Sequence, residues 1–432
     1  MKFLGPCLSI AFSLLLICIV FASGATIHDG FAVRSLLSLL AAVALVFVGM
    51  SARAVDIKFA GQATARLRVV VALPALWMIV QILPLPFGAH SLWINANEAL
   101  DQRALGHISI DLGATLLSLA YYLANITLIV VTLFVAKDRK KAELILFVLV
   151  CVSVATTIAL LLGKIGLLAL PDAGDDVRSA ISSLGILLCL ANAAGAIEQL
   201  RGRNGEDERP VRFVLLASGI ALLCCIGGLA ISATLNVGLI AGFGVLVFGS
   251  IQIVRRVDLA NWATAVLLAT LCITAAMIAA WRYDPTRMVS PFLQFATAAS
   301  ADAVSVTTRL LSDAGPRGTG AGTFAALLPL YQDLGGSIKS APSTAAAFAI
   351  ELGWPMTLIL VAIAIWTTVL LYQGALNRGR DSFYSALAAA GVVVLLGQTI
   401  CDASLLNSTV ATIADAVIGL GLAQRISART SP

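Results

Sequence analysis

Apolar runs of roughly 18 to 25 residues recur along the whole chain, each long enough to cross a hydrocarbon core of about 30 Å as a helix. The runs are continuous rather than alternating, which excludes a barrel of strands. By length they predict about twelve spans. These are approximately Leu4 to Ala22, Ser35 to Ala52, Val69 to Phe87, Leu112 to Ala136, Leu144 to Gly163 and Ser179 to Leu200, then Phe213 to Thr234, Asn236 to Val254, Leu259 to Trp281, Pro355 to Tyr372, Phe383 to Cys401 and Ser408 to Leu422. The fold class expected is therefore all-α and polytopic. Residues 1–281 hold the first nine helices, 282–354 form a long polar loop with short helices, and 355–432 hold the last three. Lys2 ahead of a run ending in Ala22, Ser23 and Gly24 also suits a signal peptide, but the length of that run favours a retained helix.

Composition agrees: 59% hydrophobic and 12% charged residues lie far outside the usage of soluble globular chains. Charge placement gives a direction. With the amino terminus cytoplasmic, 19 of the 28 basic residues fall in inward segments, so the positive-inside rule puts both termini in the cytoplasm and the long loop outside. The net charge of +5 then reports topology and implies no nucleic-acid partner. The eight cysteines lie in or beside apolar spans with no zinc-like spacing, and read as small packing residues. His28, His90 and His107 belong to two different outward segments, so no metal site is expected.

The polar chemistry concentrates in the long loop, which holds Arg282, Arg287, Arg309, Arg317 and Lys339. A guanidinium suits phosphate because its planar fork donates paired hydrogen bonds and stays charged. The same arginines also suit local acids or lipid headgroups, and Arg309 with Asp313 has the spacing of a helical ion pair. Gly318, Gly320 and Gly322 alternate with small residues ahead of Thr323 and Phe324. Such glycines let backbone approach a ligand closely, and a helix starting near Thr323 aims unpaired amides at an anion. A tight turn at the membrane surface is the equally open structural reading. No strand precedes the glycines, so the run does not read as a nucleotide loop.

Ser343 can cap a helix that runs through Glu351 into the next span, with a kink where Pro355 removes the partner of the Glu351 carbonyl. An acid beside such a kink needs a role or a cation, and Arg309 or Arg317 is the partner expected. Asp402 lies near the last outward turn, where water access accounts for it, and Asp415 lies deeper, where a bundle interior is expected. Gln398 and Asn192 are the other intramembrane polar residues suited to lining a cavity.

The order of several of these motifs resembles the O-antigen ligase and polysaccharide polymerase family of bacterial inner-membrane proteins. The resemblance rests on Gln81-Ile82-Leu83-Pro84-Leu85-Pro86, Ile108-Ser109-Ile110-Asp111, Arg309, the Gly318, Gly320, Gly322 and Phe324 pattern, Glu351-Leu352-Gly353-Trp354-Pro355, and Asp402 with Leu405. It implies a GT-C-like architecture and a glycosyltransferase that uses neither metal nor cofactor. The implied substrates are a polyprenyl-diphosphate-linked glycan and a glycan or lipid acceptor, in exopolysaccharide or lipopolysaccharide assembly, with membrane lipids and polysaccharide assembly proteins as further partners. It further implies Glu351 and Arg309 as catalytic, Arg309, Arg317, Arg287, Gly318, Gly320 and Gly322 around the diphosphate, and Asp402 in support. The chain departs from the family's ligases in having no loop histidine ahead of the Glu351 segment and Ser232 to Asn236 where they carry an arginine. Glu351 or Asp333 is then the available base. A lipid or solute transporter and a catalytically silent partner in an assembly complex are the rival readings.

Overall fold

The computed structural model describes residues 4–26, 29–65, 67–85, 89–101, 106–168, 174–202, 209–257, 290–332, 338, 340–377 and 381–426, with 270, 273–274, 276–277 and 279–283 between. Among these the chain is helical and contains no strand. The long elements are α1 (Leu4–Gly24), α2 (Phe31–Ser51), α6 (Leu112–Val135), α7 (Arg139–Lys164), α8 (Asp175–Gly202), α9 (Arg209–Ser232), α10 (Leu235–Val257), α14 (Trp354–Leu376), α15 (Ser382–Cys401) and α16 (Ser408–Ile426). Shorter ones are α3 (Ala54–Thr64), α4 (Arg68–Ile82), α5 (Ser91–Leu100), α11 (Ala301–Ala314), α12 (Phe324–Tyr331) and α13 (Thr344–Glu351).

Nine of the long helices, all but α16, are long and apolar enough to cross a membrane among the described residues. The third expected span is instead the 15-residue α4, about 22 Å long and short of a full crossing. The twelfth is α16, whose Asp415, Arg425 and polar start make it less apolar. The span expected at Leu259 to Trp281 lies mostly outside the described residues.

Packing sets α8 and α15 at the centre, each with 72% of its apolar window buried, while α9 has 17% and faces outward. α8 packs on α7, α9 and α15, and α15 on α10, α14 and α16. Where helices meet, one side is repeatedly small, because apolar burial alone does not drive association in lipid and close backbone approach must supply the contact. A Cβ at Gly244 of α10 would lie 2.2 Å from Val394, and one at Gly421 of α16 would lie 2.3 Å from Ala388. Asn192 and Gln398, expected to suit a cavity, donate through their amides to Ser218 and Ser183 across helix contacts.

Polar groups sort to the two ends. At one, Arg139 meets Asp381 and Arg255 meets Glu198, beside the start of α15. At the other, Thr344 bonds the Asp402 carbonyl just past the end of α15. Arg139 and Arg255, assigned inward by charge, therefore lie at the end of α15 opposite to Asp402.

Candidate functional site

At the Asp402 end the loop folds as a small unit with its own core, in which Val306, Leu310, Phe324, Leu328 and Ile350 are buried together. Ser300 caps α11 and Ser343 caps α13, each hydroxyl accepting from the third amide onward at 3.2 Å. The cap at Ser343 is the expected one, but the helix does not continue to Pro355. It stops at Glu351, Gly353 turns the chain at φ 87°, and α14 starts with Pro355 in its first turn. A side chain at Gly353 would strike the Pro316 carbonyl at 2.1 Å, so only glycine lets the two segments touch.

That break leaves the last carbonyls of α13 without intrahelical partners, and the glycine loop supplies them. Thr319 N–H donates to the Ile350 carbonyl and Gly320 N–H to that of Glu351, both at 2.9 Å. Gln81, fully buried at the end of α4, donates to the Glu351 carbonyl at 3.0 Å and accepts from Ala321 N–H at 3.2 Å. Trp77 Nε1 donates to the Leu352 carbonyl at 2.9 Å, and Ile110 N–H to that of Thr319 at 2.9 Å. Gln81, Ser109 to Asp111, Gly318 to Phe324 and Glu351 to Pro355, which lie far apart in the chain, thus form one structural knot.

Within it the loop is an anion cradle, and the anion is internal. Gly318, Gly320 and Gly322 take φ of 72°, 110° and 78°, and α12 starts directly behind them. Phe324 N–H donates to the Glu351 carboxylate at 3.2 Å, and the Gly322 amide donates as well. Gly318 and Gly320, expected around a diphosphate, are buried against Glu351 and Ser109, and the amides of Gly322 and Phe324 hold the Glu351 side chain.

The arginines are placed differently from the expectation too. Arg309 and Arg317 are exposed and make no ion pair among the described residues, so neither is the partner of Glu351. The Arg309–Asp313 pair does not form; Asp313 accepts from Tyr331 Oη at 2.8 Å and Ser312 Oγ at 3.2 Å. Arg287, Asp333 and Lys339 lie outside the described residues. Arg282 donates to Asn236 Oδ1 at 2.7 Å, which sets a guanidinium at the start of α10.

Among the described residues the cation within electrostatic reach of Glu351 is Arg34, in the first turn of α2. It holds Asp29 through two nitrogens at 3.2 and 3.0 Å, donates to the Leu406 carbonyl at 3.0 Å, and stands 5.4 Å from the ring centre of Tyr121. Asp415 on α16 lies within electrostatic reach of Tyr121 and Tyr122. It is buried, as expected of that depth, and its Oδ2 lacks a hydrogen-bond partner. Burial pushes the Glu351 carboxyl up from 4.5 to about 7, against the lowering pull of the two amides and of Arg34. Its neighbours Ile350 and Leu352 are buried, whereas Glu351 keeps part of its surface open.

Asp402 is a second carboxyl at this end. It is 5% exposed, so water access does not account for it. Its Oδ1 accepts from Ser404 N–H at 3.0 Å and Oγ at 2.5 Å, while Oδ2 has no partner. Burial raises it to about 7 despite the Ser404 bonds, with Asp176 adding to the rise.

Sequence reasoning left Arg34 without a role, as the last residue of an outward segment. The signal was present: a lone guanidinium inside the first turn of an apolar helix, with Asp29 just ahead. No family profile matches this chain, and no curated protein matches it.

Proposed function

We propose that the chain transfers or polymerises a glycan carried on a polyprenyl diphosphate, at the outward end of the bundle, in a bacterial inner membrane with both termini cytoplasmic. The observation that carries this reading is the carboxyl of a half-buried residue, Glu351, poised near neutrality, with Arg34 within electrostatic reach. A general base works best with a value near the working pH. In the proposed step an acceptor hydroxyl attacks the anomeric carbon, its proton passes to Glu351, and the bond to the diphosphate breaks with the electron pair on the departing oxygen. Arg34 is suited to the charge that develops there, since a fixed cation helps most where charge appears. Arg309 and Arg317, exposed at the same face, are left with headgroup or glycan contacts.

One observation favours transport instead. Asp415 is buried in the bundle and its Oδ2 has no partner among the described residues, and intramembrane acids of that kind mark proton or ion paths. Turnover of a synthetic polyprenyl-diphosphate oligosaccharide by the purified protein tests the transfer reading. Glu351→Gln is expected to lower the rate by about 10² to 10⁴, the usual share of a general base. Arg34→Lys is expected to lower it too, since an ammonium lacks the fork. Unchanged rates in both, at equal amounts of folded protein, rule this site out.

A further inference from the structure

At the opposite end of the bundle a cavity of about 400 Å³ lies between α8 and α10, lined by Ala194, Ile197, Glu198, Arg201, Gln252 and Arg255. The α8 residues recur at helical spacing and so form one face. The lining holds two guanidinium groups and one carboxylate, and that carboxylate is engaged on both oxygens: Arg255 donates to Glu198 Oε1 at 3.0 Å, and Asp381 N–H to Oε2 at 3.4 Å. Arg255 is held further by Ser382 Oγ. The wall therefore keeps a net positive charge, with Arg201 exposed. Gln252 Nε2 is buried and has no acceptor among the described residues. A buried amide donor left unbonded is costly, so a cavity that contains one calls for an oxygen-rich occupant.

We propose that this cavity binds a phosphate group, with Gln252 Nε2 and Arg201 donating to its oxygens and Arg255 fixed behind them by Glu198. A phosphate supplies acceptors on every side and the negative charge that the wall lacks. The group comes either from an anionic phospholipid in the adjacent leaflet, where such lipids attract basic residues, or from a soluble phosphate. This inference is independent of the glycan-transfer reading, because it concerns the other end of the helices and a different readout.

Native mass spectrometry of the full chain in detergent, titrated with phosphatidylglycerol or with phosphatidylcholine, separates the cases, alongside calorimetric titration with inorganic phosphate. Wild type is expected to keep one phosphatidylglycerol in preference to phosphatidylcholine, or to bind one inorganic phosphate; the first result identifies the lipid source and the second the soluble one. Gln252→Glu, which puts a charge where the donor stood, and Arg201→Gln, at an exposed position that folding does not depend on, are each expected to weaken binding about tenfold, the worth of one charge-assisted hydrogen bond. Absence of both forms of binding overturns the proposal. So does equal retention of the two lipids without phosphate binding, or unchanged binding in Arg201→Gln.

Discussion

Replacing Glu351 with glutamine removes a charge that the native fold holds at a cost. The carboxyl rises from 4.5 to about 7 on folding because burial penalises its ionised form. The native state therefore binds the proton more tightly than the unfolded chain. Below about pH 4.5 the group is protonated in both states and costs nothing; between there and about pH 7 stability falls with rising pH, and above that the penalty is complete. A shift of this size corresponds to roughly 3 kcal/mol, of which about 2 to 3 kcal/mol develops between pH 5 and pH 8. Glutamine does not titrate, so the variant gains on the parent by that amount across the interval. The background titration of Asp402, also raised to about 7, is common to both proteins and cancels. With an unfolding entropy of about 2 cal/mol/K per residue, the gain amounts to about 3 °C in melting temperature. Differential scanning fluorimetry in one detergent at pH 5 and pH 8 measures it. A difference between variant and parent that stays constant over this range refutes the account of how the carboxyl is held.

Two further substitutions test the knot around that carboxyl. Gly320→Ala places a Cβ 2.4 Å from Ser109 Oγ at φ 110°, and strain with overpacking is expected to cost about 3 kcal/mol or more. Gly219→Ala, with open space around it, serves as its control and is expected to be neutral or slightly stabilising; the yield of monodisperse folded protein compares the two. Arg309→Ala is expected to change stability by less than about 0.5 kcal/mol, as for an exposed residue with no partner, and polymer length in cells then reports its role free of folding effects.

Long-range order along the chain was legible wherever it depended on hydropathy. Continuous apolar runs mark the spans because the bilayer demands both length and internal hydrogen bonding. The twelfth span was less clear, since α16 is surrounded by α6, α15 and α1 and tolerates Asp415 through protein contact rather than lipid contact. The site was only partly legible. Glu351 stood out as an acid among apolar residues, but its partners are backbone amides, which leave no mark in a sequence. A reader looking for a countercharge turns to Arg309 and Arg317, both of which point elsewhere. The glycines did signal a cradle for an anion; their spacing holds no record of whether that anion is a ligand or the chain's own carboxylate. Arg34 meets Tyr121, and comes within electrostatic reach of Glu351, only through tertiary packing, and nothing local to α2 announces those neighbours.

Glycan transfer beside Glu351 and Arg34 and passage of an intact lipid-linked glycan leave different products. Proteoliposomes holding the purified chain, supplied with a polyprenyl-diphosphate oligosaccharide labelled in both the lipid and the sugar, tell them apart. Transfer separates the two labels, with free polyprenyl diphosphate released as the sugar appears on an acceptor, and Glu351→Gln is expected to suppress the separation. Labels that cross the bilayer still joined to one another refute transfer at this site.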